Sequence, residues 1–253
     1  MSCLIYLKHP YITFLNICYL IEGFICKYVI KRRKIWKFDN GVSIYKDQLL
    51  GFQIMRYLKV NLHEPTNEEL FTQFIKNYSG SGVFIDVGAA AGYYSFLARR
   101  LNPNIQVYAF NPGEKFRNMM RENMLLNDNS NGIKVIPEAV SNNVGYCGLT
   151  RGWGGKITST GTTKMTTINQ FISDEKILNV FLIKLDIQGE ELNALKGAVG
   201  SFNKIENFIL ESHTAELHNK CENLLVLNGY KLSYSNFEVG DQPSGLIVAS
   251  KSS

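Results

Sequence analysis

The sequence has few cysteines, and no two of them stand at the spacing of a metal or redox site. Five cysteines are scattered over 253 residues, an odd number with no Cys-x-x-Cys motif. This pattern argues against a disulfide framework or a zinc site and favours a reducing compartment, here the cytoplasm. The four histidines, His9, His63, His213 and His218, form no obvious metal cluster in the sequence, and no metal site is predicted.

Most of the chain also lacks an excess of positive charge. Residues 1–60 hold ten Lys and Arg against three Asp and Glu, a net charge of +7, whereas residues 61–253 hold 17 against 19, a net charge of −2. Because proteins bind nucleic acids mainly through basic surfaces, we expect no nucleic-acid partner for the larger part. A hydrophobic content of 45% and a charged content of 19% suit one substantial α/β domain with its own core.

The N-terminal segment, residues 1–34, is hydrophobic and then basic. Fifteen of the twenty residues from 11 to 30 are apolar, and four Lys and Arg follow at once. The length and the basic flank suit a membrane span, but Glu22 and Lys27 would be costly inside a bilayer. The segment also lacks the small-residue cleavage site of a signal peptide. Two interpretations stay open: contact of residues 11–37 with a membrane surface, or a helix packed on the domain.

The next segment, residues 35–82, is predicted to precede the core of the main domain. Alternating residues around an Asp-Asn-Gly turn predict a hairpin within residues 35–50. A helix is predicted over residues 64–78, with Thr66 as its N-cap, because a Glu follows three residues later.

In the main domain, residues 83–253, strands and helices alternate, which predicts a parallel, doubly wound sheet. Its last two strands, residues 230–237 and 246–250, are joined only by a turn and predict an antiparallel hairpin at one edge of the sheet. Residues 189–202 are predicted to form one helix. The Gly- and Thr-rich residues 145–164 are predicted to form an insertion or strand pair near the site.

The stretch that organises this domain is a strand, a glycine turn and a helix over residues 83–95. Asp86 ends the strand, and Gly88 and Gly92 give the spacing Asp-Val-Gly-x-x-x-Gly. The Gly-x-Gly-x-x-Gly motif of dinucleotide-binding proteins is lacking, which argues against a pyrophosphate ligand. An Asp beside such a turn favours a ligand with a cationic amine and no phosphate, as in S-adenosylmethionine (SAM). The alternative is a turn that only joins strand to helix.

Titratable residues at two further predicted strand ends are the candidate catalytic groups. Lys184 and Asp186 lie two residues apart on an otherwise apolar strand, so their side chains share one face. Glu211 and His213 end the next strand in the same way. If the two strands are neighbours, these groups converge at the edge of the sheet where ligands bind, with Asp186 or His213 as a base for an acceptor hydroxyl. The alternative is a structural ion pair of Lys184 with a carboxylate, plus a surface histidine.

Three other places at predicted strand and helix ends carry candidate residues. Asn111 ends the second strand, where an acidic residue commonly holds a ribose; it is a candidate ligand residue or a turn residue before a proline. Glu138 and Ala139 follow the third strand. Glu190 and Glu191 open a helix, where acidic residues are favoured by the helix dipole alone, and they are assigned to structure.

The residues described so far make the chain resemble the FkbM family of SAM-dependent methyltransferases. The resemblance covers roughly half of the chain and is carried by residues 85–95, by residues 109–112 with 121–123, and most specifically by residues 183–198. It implies a Rossmann-like class I methyltransferase fold, SAM as cofactor, and methylation of a hydroxyl on a sugar, lipid or natural product.

The resemblance also implies positions for the cofactor. Asp86, Gly88 and Gly92 would line the methionine end of SAM, with Ala89 and Tyr93 in the same loop. Asn111 would contact the ribose, and Glu138 with Ala139 the adenine side.

This chain departs from the family pattern at three positions, each an amide where the family usually has a carboxylate: Asn111, Asn169 and Gln188. Asp86 and Asp186 are retained, so an active SAM-dependent O-methyltransferase is the leading hypothesis. A non-catalytic SAM-fold binding module is the second hypothesis, and a nicotinamide-dependent oxidoreductase is the third. A small-molecule or glycan acceptor is the expected partner.

Overall fold

The computed structural model describes residues 35–150, 152, 155–239 and 244–251. The chain divides into two compact units, residues 1–68 and residues 69–253. The predicted membrane-contacting or packed helix of residues 1–34 lies outside the described residues. Within them, no helix combines the length and the hydropathy that a bilayer crossing requires.

In the first unit, the predicted hairpin is present and short. Strand β1 (Ile35–Lys37) pairs with β2 (Ser43–Tyr45) in antiparallel register. The turn between them contains Gly41 at φ +89°, and the side-chain oxygen of Asn40 accepts from the Val42 amide. A short 3-10 turn and helix α1 (Gly51–Lys59) follow, and α1 was not predicted from the sequence.

Helix α2 (Pro65–Asn77) confirms the predicted helix, but the predicted cap is wrong. The helix begins at Pro65, so Thr66 lies inside its first turn. Proline suits that first position because its missing N–H would have no partner there. The carbonyl of Glu64 already accepts the helical hydrogen bond from the Glu68 amide at 2.8 Å.

The second unit contains the predicted sheet, with seven strands in the order β11-β12-β10-β9-β3-β4-β5. Neighbouring strands are parallel except β12, which is antiparallel to both β10 and β11. The terminal antiparallel hairpin is therefore confirmed. The strands are β3 (Val83–Val87), β4 (Gln106–Phe110), β5 (Ile133–Ile136), β9 (Val180–Leu185), β10 (Ile205–Ser212), β11 (Tyr230–Glu238) and β12 (Ser244–Lys251).

Helices and a buried apolar cluster accompany this sheet. The cluster includes β-branched and aromatic side chains of the strands, such as Ile183 and Phe208, and of the flanking segments, such as Phe171. Such residues favour strands because their branched side chains pack well on a pleated surface. The helices are α3 (Tyr93–Leu101), α4 (Glu114–Met124), α5 (Ile168–Asp174), α6 (Glu191–Lys196) and α7 (Ala215–Leu227).

The prediction of one helix over residues 189–202 is wrong. Helix α6 ends at Lys196, and a separate 3-10 segment covers Val199–Lys204. The break follows Gly197, where a side chain would meet the Ser141 carbonyl at 2.3 Å, so the backbones touch there. The apolar spacing that suggested one helix is shared between the two segments.

The predicted strand pair within residues 145–164 is also present. Strands β6 (Ala139–Val140), β7 (Gly145–Leu149) and β8 (Ile157–Thr166) form a small sheet in the order β6-β8-β7. A minor apolar cluster of Ala139, Cys147 and Met165 lies within it.

Candidate active site

The glycine turn after β3 lies directly against the end of β9. The Asp186 amide donates to the Val87 carbonyl at 3.0 Å. A side chain on Gly88, which has φ +94°, would lie 1.9 Å from the Asp186 carbonyl oxygen. Gly92 has φ +97°, and a side chain there would meet the Phe96 ring at 2.6 Å. Gly88 is therefore required by backbone angle and by space, and Gly92 by backbone angle.

Two buried amide side chains hold the carbonyls of this turn. Asn111 Nδ2 donates to the Ala90 carbonyl at 2.6 Å, and Asn123 Nδ2 donates to the Ala91 carbonyl at 2.9 Å. Ala90 has φ +45°, an unusual conformation for a residue with a side chain. Asn111 thus supplies a donor that a carboxylate at this position could not supply.

Asp86 lies beneath the turn and is almost completely buried. Its Oδ2 accepts from Ser95 Oγ at 2.6 Å, which connects β3 to α3. Burial raises the pKa of the Asp86 carboxyl, and this effect outweighs the opposing effects of Lys184 and Ser95. Tyr93, which follows the turn, is also buried.

Lys184 is a buried cation between carboxylates. It stands opposite Asp86 in the β3–β9 register, and its Nζ lies 3.6 Å from Asp186 Oδ2. The same Nζ is 4.5 Å from the centre of the Tyr94 ring, a cation–π contact. The structure thus contains a Lys184–Asp186 ion pair, which is the structural alternative to a catalytic role for these two residues.

The ends of β9 and β10 bring Asp186 and His213 together, as predicted for neighbouring strands. His213 Nε2 lies 3.7 Å from Asp186 Oδ1. Gln188 Nε2 lies between them, 3.2 Å from Asp186 Oδ1 and 2.8 Å from His213 Nε2. The histidine is half-buried rather than on the surface. Glu211 precedes it on β10, and its negative charge contributes to raising the pKa of His213.

Glu191 is part of the same cluster, a role that the helix-dipole argument did not reveal. Its side chain has 0% exposure, and its Oε1 lies 3.3 Å from His213 Nδ1. It also accepts from the backbone amides of Ile187 at 3.0 Å and of Gly189 at 2.9 Å. The turn needs this support because Gln188 has φ +59°. The signal in the sequence for this contact is the Gly-x-Glu spacing of residues 189–191, which places a carboxylate two residues after the glycine of the turn.

The charges of this cluster shift its ionisation. Burial disfavours the imidazolium, but Glu191, Asp186 and Glu211 outweigh burial and raise the pKa of His213. Burial likewise disfavours the Glu191 carboxylate, but His213 and the backbone amides outweigh it and lower the pKa of Glu191. The two shifts favour a charged pair.

Ligand atoms of Asp186, Glu191 and His213 lie within 4.8 Å of one another, a combination that can hold a metal ion. The two carboxylates, however, face opposite ring nitrogens: Asp186 faces Nε2 and Glu191 faces Nδ1. One ion bound to His213 would therefore have only one of them on its own side of the ring. The geometry fits a chain of carboxylate, imidazole and carboxylate better than a single three-ligand centre.

The remaining positions singled out in the sequence are Glu138 and Ala139, just before and at the start of β6, and Asn169 in α5. Glu138 Oε1 pairs with Lys164 Nζ at 2.5 Å, and Ala139 is buried in β6. Asn169 Oδ1 accepts from Ser201 Oγ at 2.6 Å, and the backbone N–H of Asn169 donates to the Gly197 carbonyl. The departure at Asn169 thus falls in a contact between α5 and the 3-10 segment. These positions do not test the expected contacts of Glu138 and Ala139 with the cofactor, and those contacts stay predictions.

A mixed seven-stranded sheet with a glycine turn after β3 and an antiparallel strand next to the edge defines a class I methyltransferase fold. Solved structures share this fold, among them the following two. The METTL16 methyltransferase domain aligns with a TM-score of 0.54 at 12% identity, covering 90% of each chain. A SAM-dependent O-methyltransferase from Thermotoga maritima aligns with a TM-score of 0.51 at 12% identity, covering 79% of this chain and 70% of that one.

Residues 86–232 match the model of the methyltransferase FkbM domain, and the chain belongs to this family. A curated relative, methyltransferase sdnD of Sordaria araneosa, is 22% identical over 226 residues, covering 72% of this chain and 87% of that protein. The chain is therefore a SAM-dependent methyltransferase, and the oxidoreductase hypothesis is set aside.

Proposed function

We propose that this methyltransferase acts on a hydroxyl oxygen of a small-molecule or glycan acceptor, such as a sugar, a lipid or a natural product. The observation that carries the proposal is the convergence of Asp186 and His213, two proton acceptors 3.7 Å apart, directly beside the glycine turn. Methylation of a hydroxyl needs a group that takes its proton, and both candidates lie where the cofactor turn meets β9.

The glycine turn and the strand ends form the proposed SAM site. Asp86, Gly88, Ala89, Gly92 and Tyr93 surround the methionine end. Asn111 donates its side-chain N–H to the Ala90 carbonyl, and its side-chain Oδ1, which makes no hydrogen bond within the described residues, can accept one from a ribose hydroxyl. Glu138 and Ala139 lie on the adenine side. A neutral acceptor at Asn111 contributes less than a carboxylate, about 1 kcal/mol against about 2 kcal/mol.

Bound SAM supplies the methyl group as an electrophile, so the residues of the chain mainly align and deprotonate the acceptor. Asp186 Oδ1, or His213 Nε2 when its imidazole is neutral, accepts the hydroxyl proton as the new carbon–oxygen bond forms. The Gln188 amide already donates to Asp186 and approaches His213, which is how an acceptor hydroxyl would bind there. Lys184 balances the charge of Asp186 and limits repulsion between carboxylates.

Calorimetry with SAM, S-adenosylhomocysteine and NAD tests cofactor binding. We expect SAM and S-adenosylhomocysteine to bind and NAD to fail, because the turn lacks the pyrophosphate-binding glycine pattern. If neither SAM nor S-adenosylhomocysteine binds at millimolar concentration, the proposal is wrong.

Methyl transfer from labelled SAM to a panel of glycans, lipids and hydroxylated small molecules tests the acceptor. Transfer that is lost in both Asp186→Asn and His213→Gln supports hydroxyl methylation at this cluster. Binding of SAM without transfer to any acceptor would instead favour the non-catalytic module.

The proposed membrane contact of residues 11–37 is tested separately. The chain of residues 1–253 and a variant lacking residues 1–34, which keeps β1, are partitioned between membrane and aqueous fractions. Contact predicts that only the chain with residues 1–34 sediments with vesicles, whereas a helix packed on the domain predicts no difference.

A further inference from the structure

Glu191 is the most completely buried carboxylate of the cluster, and its surroundings explain how it stays charged. It accepts backbone amides of Ile187 and Gly189 and faces the imidazole of His213. A buried charge persists only when it is paired and hydrogen-bonded. Both conditions are met here, by the turn on one side and by the histidine on the other.

We propose that Glu191 is a positioning residue that holds His213 as the Nδ1–H tautomer, so that Nε2 faces Asp186 and the acceptor hydroxyl. The inference rests on the proposed hydroxyl methylation for its functional meaning, but its structural content is independent of activity.

The two nitrogens of His213 have different surroundings. Nδ1 is buried, and no described residue gives it a well-formed hydrogen bond. Its charged neighbour is Glu191 Oε1, at an ion-pair distance of 3.3 Å. A neutral imidazole carries one N–H, and a carboxylate beside Nδ1 attracts it there. Nε2 then keeps its lone pair, which the Gln188 amide approaches to 2.8 Å.

The same carboxylate fixes the other candidate base. By accepting the amides of Ile187 and Gly189, Glu191 sets the turn that follows Asp186 and carries Gln188. The charged groups that raise the pKa of His213 come from three segments: Glu191 from α6, Asp186 from the end of β9 and Glu211 from β10. The cation Lys184 is engaged with Asp186 Oδ2, the oxygen remote from the histidine.

Long-range ¹H–¹⁵N correlation spectra of the full chain, recorded from acidic to alkaline pH, test the tautomer. The His213 signals are assigned by their loss in His213→Gln. We expect the wild-type imidazole to be Nδ1–H when neutral. In Glu191→Gln, which keeps the shape of the side chain but removes its charge, the Nδ1–H preference is lost and the pKa of His213 falls. In the control Gln188→Ala, which leaves Glu191 in place, the Nδ1–H tautomer is kept.

The functional arm is a double-variant cycle on the acceptor panel. Loss of a group that orients another typically costs about 10- to 100-fold, and we expect a decrease of that size in Glu191→Gln. In a His213→Gln background, the further change Glu191→Gln should have little additional effect. Unchanged SAM binding by calorimetry shows that the variants are folded.

Two results would overturn the inference. One is a neutral wild-type His213 with its proton on Nε2, which requires no variant and no activity. The other is a folded Glu191→Gln variant with an unaltered tautomer and pKa. Failure of SAM to bind would instead overturn the proposed function and leave the spectroscopic result standing.

Discussion

The carbonyl oxygen of Asp186 occupies the space that a side chain on Gly88 would need, at 1.9 Å from the position of its Cβ. The proposed cofactor turn and the proposed base are therefore in backbone contact. A change in either segment is expected to move the other, and the site behaves as one unit.

Gly88→Ala tests this contact. The added methyl group collides with backbone and demands φ +94° of a residue with a side chain, so we expect a loss of at least about 2 kcal/mol in the free energy of unfolding. SAM binding should be abolished in calorimetry. The control is Gly51→Ala, where an added methyl group meets no atom of the described residues within 4 Å. Equal behaviour of the two variants in urea unfolding and calorimetry would contradict the prediction.

Asn111→Asp tests the donor role of Asn111. The substitution keeps the shape but replaces the N–H that reaches the Ala90 carbonyl with a carboxylate oxygen. We expect the variant to lose about 1–3 kcal/mol of stability and to bind SAM more weakly, because two acceptors then face each other. Asn118→Asp is the matched control, since the exposed Asn118 side chain accepts from Arg121 Nη1 and supports no buried carbonyl among the described residues. Tighter SAM binding by Asn111→Asp would show that the ribose contact dominates.

Lys184→Met tests the buried cation. The methionine fills similar volume but leaves Asp86 and Asp186 without their shared positive charge, and breaking such a buried pair costs about 3–5 kcal/mol. Chemical denaturation measures the loss. Lys134→Met removes an exposed ion pair with Glu175 and should change stability by less than about 1 kcal/mol. A Lys184→Met variant as stable as this control would argue that the cation is dispensable for folding.

Stability should also depend on pH through the Glu191–His213 pair. The pKa of His213 is raised above its ordinary value of 6.5, so its contribution is complete below that value and is lost as pH rises through the raised pKa. The pKa of Glu191 is lowered below 4.5, so its contribution is present above that value and is lost as pH falls through the lowered pKa. Between the two, the pair stabilises most.

Urea unfolding across this pH range checks the dependence. We expect His213→Gln to flatten the decline on the alkaline side, because the variant has no imidazole to titrate. A wild-type curve with the same alkaline slope as His213→Gln would contradict the assignment to this residue.

The sheet was predictable because its signals are local and regular. Apolar runs such as residues 180–185 alternate with helical segments, and Gly88 and Gly92 mark the turn. The role of Glu191 was not predictable in this way, since an acidic residue at a helix start has a sufficient local explanation. Its partner His213 lies 22 positions further along the chain, and only the pairing of β9 with β10 brings the two together. Likewise, nothing local shows that the Asn111 amide reaches Ala90.

The prediction of one helix over residues 189–202 was wrong for the same reason: contacts between residues distant in sequence leave no local signal. The apolar spacing continues across Gly197, so periodicity alone cannot reveal a break there. At the break, Gly197 lies against the backbone of Ser141, which is 56 positions earlier in the chain.

The position of β12 between β10 and β11 has a consequence for biosynthesis. In chain order β12 is the last strand of the sheet. Its partner on one side, β10, comes before it in the sequence, with α7 and β11 between them. Without β12, the edge of β10 that faces it has open amides and carbonyls, which invite pairing with other chains. A premature stop after residue 238 would make that open edge permanent and would yield an aggregation-prone product rather than a smaller enzyme.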